Sequence, residues 1–421
     1  MPSAGHEAAD TGTRTAAATL GGSDTADAVV VGGGTIGAWC AYFLRQAGVG
    51  RVILVEKRTL GEGASSRAAG IVRTQGGTKW AVQLGEWSRR FYLRQSAELG
   101  IDSGFTPQGY TIPCFSAADI PDARERMAMQ RELGLDVRWA EPGEVDELNP
   151  AMAPGLTVGG TYCPDDGYLI PPRNVTAYAV ALATSGVQVR ERVTFTGLAT
   201  EGETVTGVQT RQGPIAAPIV VLTGGPELAE VGKLAGVPVP AGGVRHQVAV
   251  TESHPDLAPA RLPMVFDLHA GLYWRPEEGG MLFGMSNPAE PPGPAACIDE
   301  HYLALMRRRL AELVPVTAGL GLRRVWAATI DYTPDHLPII GPARLGDQKI
   351  NGAFVVSAGG HGMMWGPAVA RAAADVALTG RSDVVDVTDL GLDRFDESGR
   401  SRLATDPIAL PFPESAPAST A

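Results

Sequence analysis

Cysteine is scarce and scattered. The four present (Cys40, Cys114, Cys163, Cys297) stand far apart and form no CxxC pair, which argues against a disulfide framework or a zinc site and predicts no bound metal. There is no dense Lys/Arg run, and 35 basic against 46 acidic side chains leave a net charge of −11, so nucleic acid and anionic membrane are poor partners. No apolar run approaches the roughly 18 residues that span a bilayer. Residues 1–26 are rich in Ala, Thr, Gly and Ser and lack both a basic start and an apolar core. They read as a disordered tail and not a signal peptide, with cytoplasm as the default compartment. Residues 404–421, dense in proline, read as a second loose tail.

What is present is an ordinary enzyme composition, 44% hydrophobic and 19% charged, in a chain of 421 residues. That length exceeds what one core supports, so two domains are expected. The stretch VVVGGGTIGAWC (29–40) runs from a buried-type strand through a glycine loop into a helix over Thr35–Gln46. RVILVEK (51–57) is a second strand and closes a βαβ unit. Further βαβ-type material recurs around Val175–Thr184 and VVLTGG (220–225). AFVVSAGG (353–360) is a strand entering another glycine loop and an Ala-rich helix. Between these pieces lie Pro-punctuated short strands and the alternating strands HQVAV, LYWRP and MLFGM. The pattern predicts an α/β fold with a discontinuous Rossmann-like nucleotide domain (27–104, 165–240 and 320–385). A mixed-sheet substrate domain (105–164 and 241–319) is interleaved with it.

Gly32-x-Gly34-x-x-Gly37 is the dinucleotide fingerprint. Its first glycine permits the turn, its second lets backbone approach a pyrophosphate, and its third lets helix pack on strand. The helix N-terminus at Thr35 and Ile36 supplies free N–H groups for phosphate. Glu56, ending the second strand, suits the ribose hydroxyls of an adenosine half. GEGASSRAAGIVR (61–73) crowds small residues where a cofactor longer than NAD would pass on toward a second domain. The second glycine loop, at 359–362, again feeds a helix, whose dipole would stabilise negative charge on a reduced ring.

In their order along one chain, the glycine loop with Glu56, GASSRAAGIVR, VVLTGG, YWRPEEGGMLFG (273–284), TPDHLPIIGP (333–342) and GGHGMMWGP resemble the D-amino-acid-oxidase family of FAD-dependent oxidoreductases. Glycine oxidase, sarcosine oxidase and related amine dehydrogenases belong to it. The resemblance spans about residues 27–380. It implies FAD held by Gly32, Gly34, Thr35, Ile36, Gly37, Glu56, Lys57, Ser65, Ser66, Arg67, Ala69, Gly70, Val193, Thr223, Gly224, Gly360, His361, Gly362, Met363 and Met364. It implies oxidation of a C–N bond of a small amine or amino acid, glycine- or sarcosine-like, by hydride transfer to flavin N5 to give an imine.

Matching by position places Arg73 where sarcosine oxidases pair an arginine with the substrate carboxylate. His361, Tyr273, Arg275 and His269 are further candidates to touch substrate. Several positions depart from the family pattern. Arg67 and Ala328 stand where relatives attach FAD covalently, so the FAD is expected to be non-covalent. Leu282, Met364 and Ile330 replace two lysines and a carboxylate-binding arginine found in some relatives, so the acceptor and substrate can differ too. Two other readings compete. One is a flavin-bearing subunit of a hetero-oligomer, against a free-standing or homo-oligomeric enzyme. The other is an NAD-linked Rossmann dehydrogenase, which the second glycine loop and the discontinuous domain disfavour.

Overall fold

The computed structural model describes residues 24–257, 262–294 and 297–410. At its centre five parallel strands lie side by side in the order Gln348–Ser357, Val220–Leu222, Ala28–Val31, Val52–Glu56, Gln188–Glu191. Their near-continuous apolar runs follow from burial on both faces. Ala28, Val30, Val52 and Leu54 join one core with Trp39, Phe43, Tyr178 and Trp365. Val29, Val31, Ile53 and Val55 join another, under the strands Phe195–Glu201 and Thr204–Thr210.

Helices Thr35–Gln46, Lys79–Leu99, Pro171–Ser185 and Gly362–Thr379 cover the first face. The second of these is delimited by its own sequence. Thr78 caps the start by accepting from the Ala81 N–H at 3.2 Å, and Gly100 ends it in the left-handed conformation at φ 69°. Trp39 is fully buried and meets Phe91 edge-to-face at 4.9 Å, locking the first helix to the long one.

Among the described residues a second, eight-stranded sheet is formed from Leu322–Tyr332, Gly242–Thr251, Gly280–Met285, Leu272–Glu277, Met264–Asp267, Tyr110–Cys114, Gly159–Cys163 and Arg138–Ala140, in that order. Alternation divides its residues cleanly. Trp274, Phe283 and Met285 pack with helix Glu300–Leu313 on the outer face, whereas Phe266, Tyr273, Leu282 and Val248 pack on the inner face with Ala69, Ile71 and Tyr168. The inner face roofs the 67–73 segment of the first unit.

Three sequence boundaries are corrected. Strand Leu322–Tyr332 pairs along its length with Gly242–Thr251, so 322–332 belongs to the roof and not to the nucleotide unit. The N-terminal tail reaches less far than expected, because Asp24–Thr25 is a strand paired with Ile215–Ala216 and Arg190 and Arg51 bind the Asp24 carboxylate. Residues 404–410 are not loose, since Asp406 and Ile408 are both buried. The rest of each predicted tail (1–23 and 411–421) lies outside the described residues.

Candidate active site

The nucleotide end is built from close backbone approaches. Gly32 turns at φ 106°, and a Cβ there would fall 2.6 Å from Thr223 Oγ1. That hydroxyl donates to the Val31 carbonyl at 2.7 Å, so Thr223 braces the loop. A Cβ on Gly37 would collide with the Gly32 carbonyl, whereas one on Gly34 would meet, among the described residues, only Ser65 Oγ, at 3.2 Å. Protein packing therefore accounts for Gly37 outright, whereas at Gly34 it asks only that the Ser65 hydroxyl give by a few tenths of an ångström and leaves room for a ligand. The side chains beside Gly34 suit one. Ser65 Oγ accepts from the Thr35 N–H at 2.9 Å, and Asn174 donates to Thr35 Oγ1 at 3.3 Å. Ile36 packs near Gly366, whose missing side chain lets the last helix cross the first at this N-terminus.

Glu56 holds the loop from the next strand, its carboxylate accepting the Gly33 and Arg58 N–H groups at 2.7 Å each. The Val193 N–H donates to the Glu56 carbonyl at 2.9 Å and so lies at the same strand end. Lys57 turns outward into an ion pair with Glu227. Gly224 stands where a Cβ would meet the Leu228 backbone at 2.8 Å, so close packing accounts for it.

Beyond this end, 64–70 runs beneath the roof. Ser65 and Ser66 lie in a short turn, and the exposed Arg67 bonds back to the Glu62 and Gly63 carbonyls. The Arg67 carbonyl accepts from Trp326 Nε1 at 2.8 Å, the Ala69 carbonyl from Arg275 Nε at 3.0 Å, and the Gly70 carbonyl from the Leu169 N–H at 2.8 Å. Arg73 follows, only 4% exposed. Its Nη1 donates to the Gln75 carbonyl at 2.6 Å and its Nη2 to the Ile408 carbonyl at 3.1 Å. Among the described residues it makes no ion pair. The Thr74–Gln75 backbone is fixed from behind by Asp166, fully buried, whose carboxylate accepts from Thr74 Oγ1 and N and from Gln75 Nε2.

The second glycine loop brings His361 to the same interior. His361 caps helix Gly362–Thr379, its ring stacks on Trp365 at 3.9 Å, and among the described residues its buried Nδ1 has no hydrogen-bond partner. Burial, Arg73 and His336 together push its pKa down to about 3. The glycines at 360 and 362 flank it. Met363 accepts from Tyr92 Oη through its carbonyl at 2.8 Å, and Met364 packs partly buried against the core.

In the roof, Tyr273 is bonded to His246 at 2.7 Å, ring stacked on ring. The contact needs a gap. Gly284 is the cross-strand neighbour of Tyr273, and a Cβ there would collide with the phenol and sit 3.1 Å from His246 Nε2. Burial holds His246 down at about 4 and raises Tyr273, so neither is charged at neutral pH. His246 was not among the candidates named from the sequence; the signal for it was the glycine inside MLFGM.

Two candidates are displaced. Arg275 points the same way as Tyr273, but its guanidinium is used up on Glu277 at 2.5 Å, on the Ala69 carbonyl and over the Tyr168 ring at 4.3 Å. It clamps roof to floor. His269 lies in the turn after Asp267, where its side chain is 64% exposed and bonded to Asp119 at 2.9 Å.

The depressed histidines have a consequence for stability. His246 and His336 at about 4 and His361 at about 3 stay neutral in the fold, whereas in the unfolded chain they protonate near pH 6.5. The unfolded state therefore binds more protons between about pH 6.5 and 4, and stability falls as pH falls through that window. Burial raises the carboxyls of Asp166, Asp331 and Asp406, whose contribution runs the other way, so the histidine share is read by comparing urea titrations at pH 7 and pH 5 for the wild type and His246→Gln. The variant should lose about 1–2 kcal/mol of the pH-dependent difference, and an unchanged difference would mean that the His246 ring is solvated.

A glycine loop and an acidic strand end, followed by small residues leading under a roof, fit a dinucleotide that extends between two units. The model of the DAO family, described as FAD dependent oxidoreductase, matches residues 27–376. The chain belongs to that family.

This flavoprotein is 29% identical over 375 residues to 4-methylaminobutanoate oxidase (formaldehyde-forming) of Paenarthrobacter nicotinovorans, covering 85% of the chain and 45% of that relative. It is 28% identical to the mitochondrial dimethylglycine dehydrogenase of Mus musculus, with 85% and 43% covered. The chain thus spans less than half the length of these two. Sarcosine oxidase subunit beta of an Arthrobacter species is 27% identical, with 77% of the chain and 81% of the subunit covered. Among solved structures, L-proline dehydrogenase from P. horikoshii superposes with a TM-score of 0.79 at 24% identity, covering 86% of the chain and 96% of that structure. Glycine oxidase from Geobacillus kaustophilus gives 0.77 at 26%, covering 89% and 100%. Both share the fold derived above.

Proposed function

We propose that this flavoenzyme oxidises a C–N bond of a small carboxylate-bearing amine, secondary or tertiary, to the imine level. The observation that carries the reading is Arg73, a buried guanidinium without an ion-pair partner among the described residues, set between His361 and the inner face of the roof. A planar fork of donors in that position suits a carboxylate bound bidentately. Gly34, the N–H groups that open the first helix and Glu56 would hold the pyrophosphate and ribose of FAD, which when bound supplies the two-electron acceptor. The chain's own task is then orientation and exclusion of water. The neutral Tyr273–His246 pair and neutral His361 offer hydrogen bonds to an amine that arrives unprotonated, without placing a charge beside it. The N-methylated substrates in the names of the relatives above support an N-alkyl amino acid over a primary one.

The test is anaerobic bleaching of the flavin absorbance by a panel of primary, secondary and tertiary amino acids, followed by readmission of air. Bleaching by N-methyl amino acids is expected. A flavin that stays yellow with every amine removes the proposal.

FAD is proposed to be dissociable. Arg67 is exposed and bonded to backbone carbonyls, and Ala328 offers no nucleophile in the roof. Acid precipitation should leave all the flavin in the supernatant, and a yellow pellet would overturn this.

The likeness to a sarcosine oxidase beta subunit over 81% of its length supports a second reading, in which the chain is the flavin-bearing member of a hetero-oligomer. Full turnover by the isolated chain in gel-filtered form would decide against it. No helix among the described residues is long and apolar enough to cross a membrane, and all four cysteines are unpaired. Cytoplasm is proposed as the compartment on the second ground.

A further inference from the structure

The segment 404–410 runs along the surface but inserts Asp406 and Ile408 into the interior, Ile408 between Arg73 and the roof. Upstream it is anchored firmly. Ser401 Oγ donates to Asp335 Oδ2 at 2.6 Å, and the fully buried Arg394 pairs with the same carboxylate at 2.7 Å. Downstream the contacts are of another kind. Asp406, 3% exposed, folds back on itself, its carboxylate accepting the Ile408 N–H at 3.0 Å and its carbonyl the Ala409 N–H at 3.1 Å. It rests on Gly77, where a side chain would collide with it. Ile408 has no exposed surface and belongs to the apolar cluster of the roof that includes Phe266 and Tyr273. The Ile408 carbonyl accepts from Arg73 Nη2 at 3.1 Å.

Thus the guanidinium that suits a substrate carboxylate is bonded to a main-chain oxygen of the chain itself. A carbonyl carries the geometry of an acceptor without the charge. A carboxylate makes a charge-assisted, shorter bond to the same donor and outcompetes it. The turn at Asp406–Ala409 is bonded within itself and tied outward by the Asp406 N–H to the Asp335 carbonyl at 3.2 Å and by the Gly77 backbone to the Asp406 carboxylate, so its release breaks those bonds while the Asp335–Arg394 pair stays.

We propose that Asp406–Leu410 is a strap displaced by substrate. An incoming carboxylate takes the place of the Ile408 carbonyl on Arg73, the Ile408 side chain withdraws from the roof, and the vacated volume receives the N-alkyl portion of the substrate. Ile408 then sets how large that portion can be. The inference rests on Arg73 as the carboxylate anchor, as argued above.

Hydrogen exchange of the 404–410 peptide in the wild-type holoenzyme tests it, with acetate and benzoate as probes titrated against the flavin absorbance. Saturation is expected to speed exchange of this peptide at least tenfold, and Ile408→Gly is expected to bind both probes at least tenfold more tightly. Exchange that stays constant while the absorbance reports a bound probe would overturn the strap. So would an Ile408→Gly variant of unchanged or weaker affinity, or the absence of any absorbance change with either protein. The amine-oxidising reading fails by a different signature, in which no amine bleaches the flavin although probes still release the strap.

Discussion

Gly34→Val is expected to give a folded, colourless protein. The two flanking glycines of the loop serve the polypeptide: Gly37 lies against the Gly32 carbonyl, and Gly32 turns at φ 106° against Thr223. Gly34 serves neither need, since a Cβ there meets only Ser65 Oγ at 3.2 Å and its backbone is extended at φ −81° and ψ −177°. Valine can therefore be accommodated by the fold, with a small shift of the Ser65 hydroxyl. Its methyl groups instead enter the space in front of the first helix, where a pyrophosphate would approach the N–H groups that open it, Thr35's being already bonded to Ser65 Oγ. FAD affinity should fall more than about a hundredfold, a difference of roughly 3 kcal/mol. The ratio of absorbance at about 450 nm to that at 280 nm reads the loss, while circular dichroism reports an intact fold. Gly37→Val, in contrast, should fail to fold at all, because the clash there is with backbone. A fully yellow Gly34→Val protein would mean that the loop faces something other than the cofactor.

The contrast between those two glycines also marks what the sequence makes legible. The strand, loop and helix of 28–46 were readable to the residue, because burial on both faces of a parallel sheet and a fingerprint of glycines leave local signals. The predicted Glu56 position followed from the same unit, and the structure bonds it to the loop at Gly33.

The roof was less legible. That Tyr273 and Arg275 share a face follows from alternation, but which of them stays available depends on partners in other strands. Glu277 and Ala69 consume Arg275, whereas Gly284 opens the way from Tyr273 to His246. Cross-strand register, which sequence alone leaves open, decides both outcomes. The same blindness assigned 322–332 to the wrong unit, because an alternating strand does not declare its sheet. Residues 404–410 were misjudged for another reason. Proline-rich composition reads as loose chain, yet two buried side chains, Asp406 and Ile408, suffice to anchor the segment, with a carboxylate-capped turn and the Asp335 carbonyl taking up its N–H groups.

Arg73→Lys is expected to raise KM for a carboxylate-bearing amine by about 10- to 100-fold, because a lost charge-assisted hydrogen bond is worth about 1.5–3 kcal/mol. The side chain is 4% exposed and its Nη1 and Nη2 point at separate acceptors, the Gln75 and Ile408 carbonyls, so the fork is already held in a fixed plane. Lysine keeps the charge but offers a single nitrogen, which reaches one carboxylate oxygen at a time. The effect should fall on KM with kcat changed less than about threefold, since a contact made equally in ground and transition states is removed. A structural disturbance of the Arg73–Gln75 segment would look different, lowering kcat as well and destabilising the Asp166 network behind it. The corresponding carboxamide separates the two. It gains little from either side chain, so Arg73→Lys should leave its kcat/KM within a factor of about two to three, whereas a distorted site would penalise amide and acid alike. Equal losses for both substrates would assign Arg73 to the scaffold and move the carboxylate anchor elsewhere beneath the roof.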